Sequence, residues 1–550
     1  MAKKGFTTEE FIQYGKIGNA TTDSLVITDG FYEYGDGGGA TWKHNGVTGQ
    51  TPSQTPAQLG DSLFNDSNGD QWELVGLYIK IEMLGVGVDD TNILKAAFAT
   101  KDAIIDINGD HFVSDSIVME SGVCIKGAGR IIAVGNPPAT TEAHFGLLLA
   151  TEKTDISISG ITIDISDWTS LPPGASSLRC ITFRRCAYYD VERVKFRSTG
   201  GAVASIGCKH FSIVKNEIAT KSPENLADGI IDTWCEFDID SEDFLIECNV
   251  INSSGASRWG VLVNGVAFES QVMECRDFVI RNNKISNTGL DGIWVGGRMP
   301  TAHDFMIYDN NIDGARKGIS ISDCKDAHIF SNNIKNTVST GIELWRESGA
   351  GGSTSALNCH VYDNELFNVA SQAGQPTAIW ITDESTGNVI HSNKVRGSTH
   401  YYGLLFGPNA GGNVASQNTI EKGRDTLKIR QFGLLNRLDD GVYTPLLTIV
   451  SNLSAATSNV TQYSVSSERC VVNFKINVTS IATGQFDVTM SIPINSSFTS
   501  VVDAIGNAST SPGNHAIVEA DISSGTVKIS GHTDFVGSFG IFGSLSYLIK

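Results

Sequence analysis

Between about residue 185 and residue 420 the chain repeats one pattern of apolar and polar positions. From Cys275 to Arg346 it reads ECRDFVIRNNKISNTGLDGIWVGG, then TAHDFMIYDNNIDGARKGISISD, then CKDAHIFSNNIKNTVSTGIELWR. Each line holds a short alternating run, an Asn-x-Ile, a turn and a Gly-Ile-x-aliphatic run. The anchor asparagines are Asn216, Asn249, Asn283, Asn310, Asn332, Asn364, Asn393 and Asn418, with Val194 one step earlier; they are spaced 22 to 34 residues apart. A short unit that tolerates insertions is the mark of a repeat coil. Five and three residues before each anchor, and two after, the side chains are mostly apolar: Phe278, Ile280 and Ile285, then Phe305, Ile307 and Ile312. Such period-2 alternation predicts strands with one buried face. No unit carries an amphipathic helical run, so each strand pairs with its counterpart in the next unit, and the anchor amides stack. Eight residues before the anchors stand Cys186, Cys208, Ser241, Cys275, Ala302, Cys324, Ala356, Ser385 and Ala410, all small. The expected fold is all-β, a single-stranded right-handed parallel β-helix.

The ends differ from the repeat. Residues 1–80 read as a small β module around FYEYGDGGGATWKHNG, residues 81–435 as the β-helix, and residues 436–550 as strands with Ser, Asn and Gly turns, expected to form a C-terminal β-sandwich. In LGVGVDDTNILKAAFAT, Asp89, Asp90 and Thr91 offer N-cap oxygens, and Ile93, Leu94, Ala97 and Phe98 recur at helical spacing. A short helix near 91–100 is expected to cap the open edge of the first coil.

The GDGGGATW segment, the later DQWEL and LGVGVDDTNILKAAFA resemble the entry region of bacteriophage tailspike and tail-fibre proteins, and the capping helix resembles the one that opens pectate-lyase-like β-helices. VVNFKINVTS and FDVTMSIPI resemble their terminal modules. The resemblance implies attachment to a phage tail or baseplate protein through residues 1–80, a homotrimer, a place in the virion tail, and a bacterial surface polysaccharide as the partner. Net charge is −20, which argues against a general nucleic-acid binder. The N-terminus MAKKGFTTEEFIQYG is polar, no apolar run is long enough to span a bilayer, and none of the ten cysteines forms a CxxC, so no membrane insertion, metal site or cofactor is expected.

Candidate chemistry lies in the Gly-Ile-x-aliphatic strands, counted from Gly229, Gly260, Gly292, Gly318, Gly341, Ala378 and Gly403. Positions two and four residues on are expected to face outward. They include Trp294, Glu343, Trp345 and Trp380, with Asp323, Arg346 and Asp383 one step further and Arg298 and Glu384 beyond. Flat indoles suit the C–H faces of sugars, and carboxylates and guanidiniums suit hydroxyls. Coils about 4.8 Å apart set residues two coils away at about 10 Å along the backbone, nearer to the roughly 6.5–9.5 Å between the carboxyls of inverting glycosidases than to the roughly 5 Å of retaining ones. Glu343, Asp383 and Asp323 are the expected acid–base groups, with Trp294, Trp345, Trp380, Arg346, Arg298 and Glu384 binding substrate. The expected function is endo-glycosidic cleavage of an O-antigen or capsule. A polysaccharide lyase, for which Arg298 and Arg346 would neutralise a uronate, and a non-catalytic receptor-binding fibre remain the alternatives. LGDSLF (59–64) imitates an esterase turn but lacks a preceding buried strand and a nearby base, and Asn452-Leu-Ser is read as incidental.

Overall fold

The structure is a computed structural model. It describes residues 25–27, 41–44, 48, 63–65, 71–74, 78–81, 89–141, 143–220, 229–236, 239–253, 259–268, 271–297, 302–345, 355–372, 377–382, 384–397, 399–407, 410–421, 429–431, 437–438, 440–443, 445–459, 461–466, 469–493, 500, 503–511, 514–521, 526–534 and 536–548. The chain forms two compact units, Met1–Arg316 and Lys317–Lys550.

In the first unit Leu25–Ile27, Thr41–His44, Gln71–Leu74 and Leu63–Asn65 make a four-stranded antiparallel sheet. Tyr78–Lys80 then pairs in parallel with Ile104–Ile107 and begins the coils. Each coil contributes one strand to each of three parallel sheets. Cys275–Arg281 lies in the first, Lys284–Ser286 in the second and Asp291–Gly296 in the third. This is the right-handed parallel β-helix that the periodicity predicts. Its interior carries the apolar positions of the repeat: Phe278, Ile280, Ile285, Phe305, Ile307 and Ile312 are all buried. Tyr189, Phe211, Phe244, Phe278 and Phe305 stack ring on ring, with centroids 4.6 to 4.9 Å apart and planes within 5° of parallel. Offset stacks at this spacing add to the apolar burial.

The anchor amides explain how so tight a corner is held. The residue before each anchor (Arg193, Lys215, Cys248, Asn282 and Asp309) has φ between 54° and 57°. A side chain in this left-handed region costs about 1–2 kcal/mol. The asparagine that follows returns it through hydrogen bonds along the stack. Asn216 donates from both its backbone and side-chain nitrogens to Asn249 Oδ1, Asn249 does the same to Asn283, and Asn283 to Asn310, at 2.9 to 3.0 Å. Val194 N–H donates to Asn216 Oδ1 at 2.9 Å, which places Val194 in the ladder's first rung.

Thr91–Phe98 is the expected helix, with Leu94, Ala97 and Phe98 buried. Asp90 holds the N-cap position but makes no side-chain cap there, and Asp89 Oδ1 accepts the Thr91 N–H at 2.9 Å. Asp90 is buried and lies 3.2 Å from His111 Nδ1.

The second unit has the same three-sheet coils. Cys324–Phe330 pairs with His360–Tyr362 in one sheet, Asn333–Lys335 with Glu365–Phe367 in another, and Lys317–Ser322, Thr340–Trp345, Thr377–Ile381 and Tyr402–Phe406 pair in sequence in a third, equivalent to the third sheet of the first unit. Its own ladder runs Asn332, Asn364, Asn393, Asn418, and a shorter one joins Asn388 to Asn413.

The C-terminal strands form one antiparallel sheet where a two-sheet sandwich was expected. The chain bends at Asn452 (φ 55°), so that Leu447–Ser451 pairs with Gly484–Met490 at one edge while Leu453–Ser458 pairs with Arg469–Ser480 further along the same sheet. The sheet thus curves back on itself and is barrel-like. Val472, Phe474, Ile476, Val488, Val518, Ile529, Ile541 and Leu545 are buried within it.

Candidate functional site

The third sheet was expected to turn its second and fourth positions to solvent. Strand register shows which residues those are. In the first unit Ile231, Val261 and Ile293 pair in register, are fully buried and face the interior. The neighbouring outward column is Leu149, Thr182, Ala204, Asp232, Leu262, Trp294, and the next is Thr151, Arg184, Ile206, Trp234, Asn264, Gly296. Gly229 pairs with Trp259 and not with Gly260, so counting from Gly229 is one residue out of step. Asp232 and Trp234 hold the outward places that the sequence reading gave to Ile231 and Thr233.

Facing outward does not bring exposure here. Thr182, Asp232, Leu262 and Trp294 are all buried, and Trp294 packs against Trp259 with centroids 6.0 Å apart. The expected exposed indole at 294 is therefore a packed one. Asp232 is joined to Arg179, both fully buried. Gly201 makes room for this pair: a Cβ there would lie 2.4 Å from Arg179 Cδ. A buried Arg–Asp pair completes the structure and is strongly destabilising to break. Arg298 lies outside the described residues.

In the second unit the outward column runs Ser320, Glu343, Trp380, Leu405 in strict register, as expected. Glu343 is buried, 4% exposed, and its carboxylate is ion-paired with Lys317. Lys317 Nζ also lies over the Trp345 ring, 5.0 Å from its centroid, and Trp345 Nε1 donates to Ser320 Oγ at 2.9 Å. Trp345 and Trp380 are half-buried. Trp380 stands opposite Glu343 on the adjacent strand, and its Nε1 is buried without a hydrogen-bond partner among the described residues. The structure thus gathers Glu343, Lys317, Trp345 and Trp380 on one face. Lys317 was missed because it lies one residue before the glycine from which the strand was counted.

Asp323 does not join this group at the surface. It is buried, with φ 46° in the turn after Lys317–Ser322, and its N–H donates to Trp345 O at 3.3 Å. Glu384 is exposed, with φ 64°, and its carbonyl accepts from Ser355 Oγ. Asp383 and Arg346 lie outside the described residues. Among those described, no group of three or more His, Cys, Asp or Glu side chains is arranged to hold a metal ion. Among the described residues, no helix is long and apolar enough to cross a membrane.

The architecture defines the class of fold, a right-handed parallel β-helix. The family described as right handed beta helix region matches residues 176–395. No curated protein matches the sequence significantly. Among solved structures, the chain is similar to a Dettilon tailspike protein (15% identity, 85% of this chain and 94% of that one, TM-score 0.47). It is likewise similar to the A-module of an Azotobacter vinelandii mannuronan C-5 epimerase (15% identity, 66% and 99%, TM-score 0.49). A third is the tailspike of E. coli bacteriophage HK620 in complex with a pentasaccharide (11% identity, 90% and 98%, TM-score 0.47).

Proposed function

We propose that the chain is a phage tailspike that binds a bacterial surface polysaccharide and cleaves it by endo-glycosidic hydrolysis on the outer face of the third sheet in residues 317–407. The observation that carries this reading is Glu343, a buried carboxylate with the Trp380 strand position directly opposite and Lys317 and Trp345 beside it. Burying a charge is costly unless it is paired, and carboxylates set so are more often at sites of chemistry than on plain solvent faces. The half-buried indoles of Trp345 and Trp380 offer stacking area for a pyranose.

A carboxylate held against an ammonium is suited to accept a proton from water or to stabilise positive charge developing at the anomeric carbon. Glu343 takes that role. Asp383, three residues beyond Trp380, supplies the proton to the departing oxygen. Asp323 serves the turn. Attachment to the tail through residues 1–80 and a homotrimeric assembly complete the proposal, on the strength of the GDGGGATW and LGVGVDDTN segments.

The test is cleavage of the host's purified surface polysaccharide, followed as new reducing ends. Wild-type protein is expected to release them, and Glu343→Gln to be slower by about 10²–10⁴ with binding kept, the usual cost of losing a positioned proton acceptor. Products absorbing in the near ultraviolet would carry a new double bond and assign a lyase instead. Wild-type turnover by Glu343→Gln would remove the reaction from this face.

A further inference from the structure

In the first unit the outer face of the third sheet is hollowed into a cavity of about 520 Å³. That lies within the range of roughly 300–1,000 Å³ typical of small-molecule sites. Leu149, Thr182, Arg184 and Trp234 line it from the sheet, with His144 and Glu236 at its sides. Trp234 is half-buried, and the His144 ring lies 5.8 Å from it, tilted by 47°. His144 Nδ1 is 2.9 Å from Ser177 Oγ, which fixes the imidazole.

The charges of this cavity are already matched. Glu236 accepts from Arg184 Nε at 2.7 Å and from Arg185 Nε at 2.9 Å, and Arg185 Nη1 lies 3.9 Å from Glu152. Burial acts to raise the Glu236 carboxyl, but the hydrogen bonds and charges of the two arginines outweigh it and hold it below the usual carboxylate value. The guanidiniums therefore face their own carboxylates, and an acidic ligand would find no unmatched cation. Thr182 adds an unmet polar demand. It is 4% exposed, and its hydroxyl has no hydrogen-bond partner among the described residues. Burying an unpartnered hydroxyl is costly. A 120° rotation about χ1 would carry the hydroxyl into the place of the methyl or of the hydrogen, toward the cavity that Thr182 lines.

From these features we propose that this cavity binds one neutral sugar unit of a glycan, its ring against Trp234 and its hydroxyls toward Glu236 and Thr182. The site anchors the glycan and breaks no bond, so it goes beyond the cleavage assigned to Glu343.

The experiment labels the full chain with 5-fluorotryptophan and follows fluorine resonances during titration with glucose, galactose, N-acetylglucosamine and glucuronate. The eight tryptophans give one resonance each, and Trp234→Phe and Trp380→Phe assign the two that matter. At least one neutral sugar is expected to move the Trp234 resonance saturably, and glucuronate to move it less. Thr182→Val should weaken that binding about tenfold, the worth of one hydrogen bond, while leaving the melting temperature unchanged or raised because an unpartnered hydroxyl is gone. A Trp234 resonance that none of the neutral sugars moves, or one that glucuronate saturates at lower concentration than glucose, would overturn the proposal. Unchanged affinity in Thr182→Val would overturn the part given to that hydroxyl. The Trp380 resonance reports separately on the Glu343 face, so failure at either place is recognised independently.

Discussion

Replacing Asn283 by alanine probes the ladder at its centre. Asn283 Nδ2 donates to Ile246 O at 2.9 Å, Arg281 O at 3.0 Å and Asn310 Oδ1 at 3.0 Å, and its Oδ1 accepts from Asn249 N and Nδ2, both at 3.0 Å. Most of these partners keep another bond. Asn249 Nδ2 still reaches Ile213 O, and Asn310 Oδ1 still accepts the backbone N–H of residue 283. The Asn249 N–H loses the Asn283 Oδ1 acceptor in a fully buried corner. An unsatisfied buried donor costs about 1–3 kcal/mol, and each further bond lost about 0.5–1.5 kcal/mol. The left-handed residue Asn282 (φ 56°) also loses the clamp that follows it. Taken at the low end of these ranges, because the other partners keep a second bond, the substitution should destabilise by about 3–5 kcal/mol. A long repeat protein can unfold irreversibly, so the assay is the unfolding rate in guanidinium, followed by circular dichroism and extrapolated to water. Asn283→Ala should unfold faster by two to four orders of magnitude, about tenfold for each 1.4 kcal/mol lost from the folded state when the ladder at this coil is already broken in the transition state. A change below tenfold, with native circular dichroism, would show that the ladder is decoration and refute the reasoning.

Phe278→Ala removes a ring stacked between Phe244 and Phe305 and should cost about 3–5 kcal/mol, read as a fall in melting temperature; a fall under 2 °C would contradict the stack's role. Trp380→Ala should weaken polysaccharide binding while slowing the chemical step less than Glu343→Gln does, checked by binding titration beside single-turnover rates. Burial, together with the nearby His328 and His391, holds His360 below its ordinary value, and burial does the same for His400 despite the Glu421 carbonyl. Between their folded values and about 6.5 the unfolded chain binds more protons, so stability is complete above that pH and is lost as pH falls below it. The melting temperature should drop from pH 7.5 to 5.5, and His360→Gln with His400→Gln should flatten the curve; an unchanged slope would oppose the assignment. Of the ten cysteines, Cys124 and Cys248 alone are more than marginally exposed, and burial pushes the Cys470 thiol up to about 11. A disulfide thiol reagent at pH 8 should therefore label two sites promptly and the remaining eight only on unfolding.

The ladder was legible because an anchor asparagine and its neighbours recur with one meaning on every coil. The interior phenylalanines and the small column from Cys186 to Ala410 follow from the same register. The outer face was only partly legible. Alternation tells which side chains point away from the interior, but not which of them their neighbours cover, so Trp294 and Asp232 are buried although they point outward. Counting from Gly229 failed because that glycine lies one residue earlier in its strand than Gly260 does, a shift visible only in the Gly229–Trp259 pairing. Glu343 and Trp380 came out correctly side by side because Gly341 and Ala378 do hold equivalent places. The barrel-like closure at the C-terminus depends on a bend at Asn452 between two runs of alternating residues, and alternation is the same in a sandwich and in a barrel.

The most direct measurement of the central claim is a crystal structure of Glu343→Gln soaked with an oligosaccharide fragment of the host's surface polysaccharide. The account predicts a sugar ring against Trp345 or Trp380, with the scissile linkage or its attacking water within about 2.6–3.2 Å of the Gln side chain that replaces Glu343. A fragment bound elsewhere, with this face empty at saturating concentration, would contradict it.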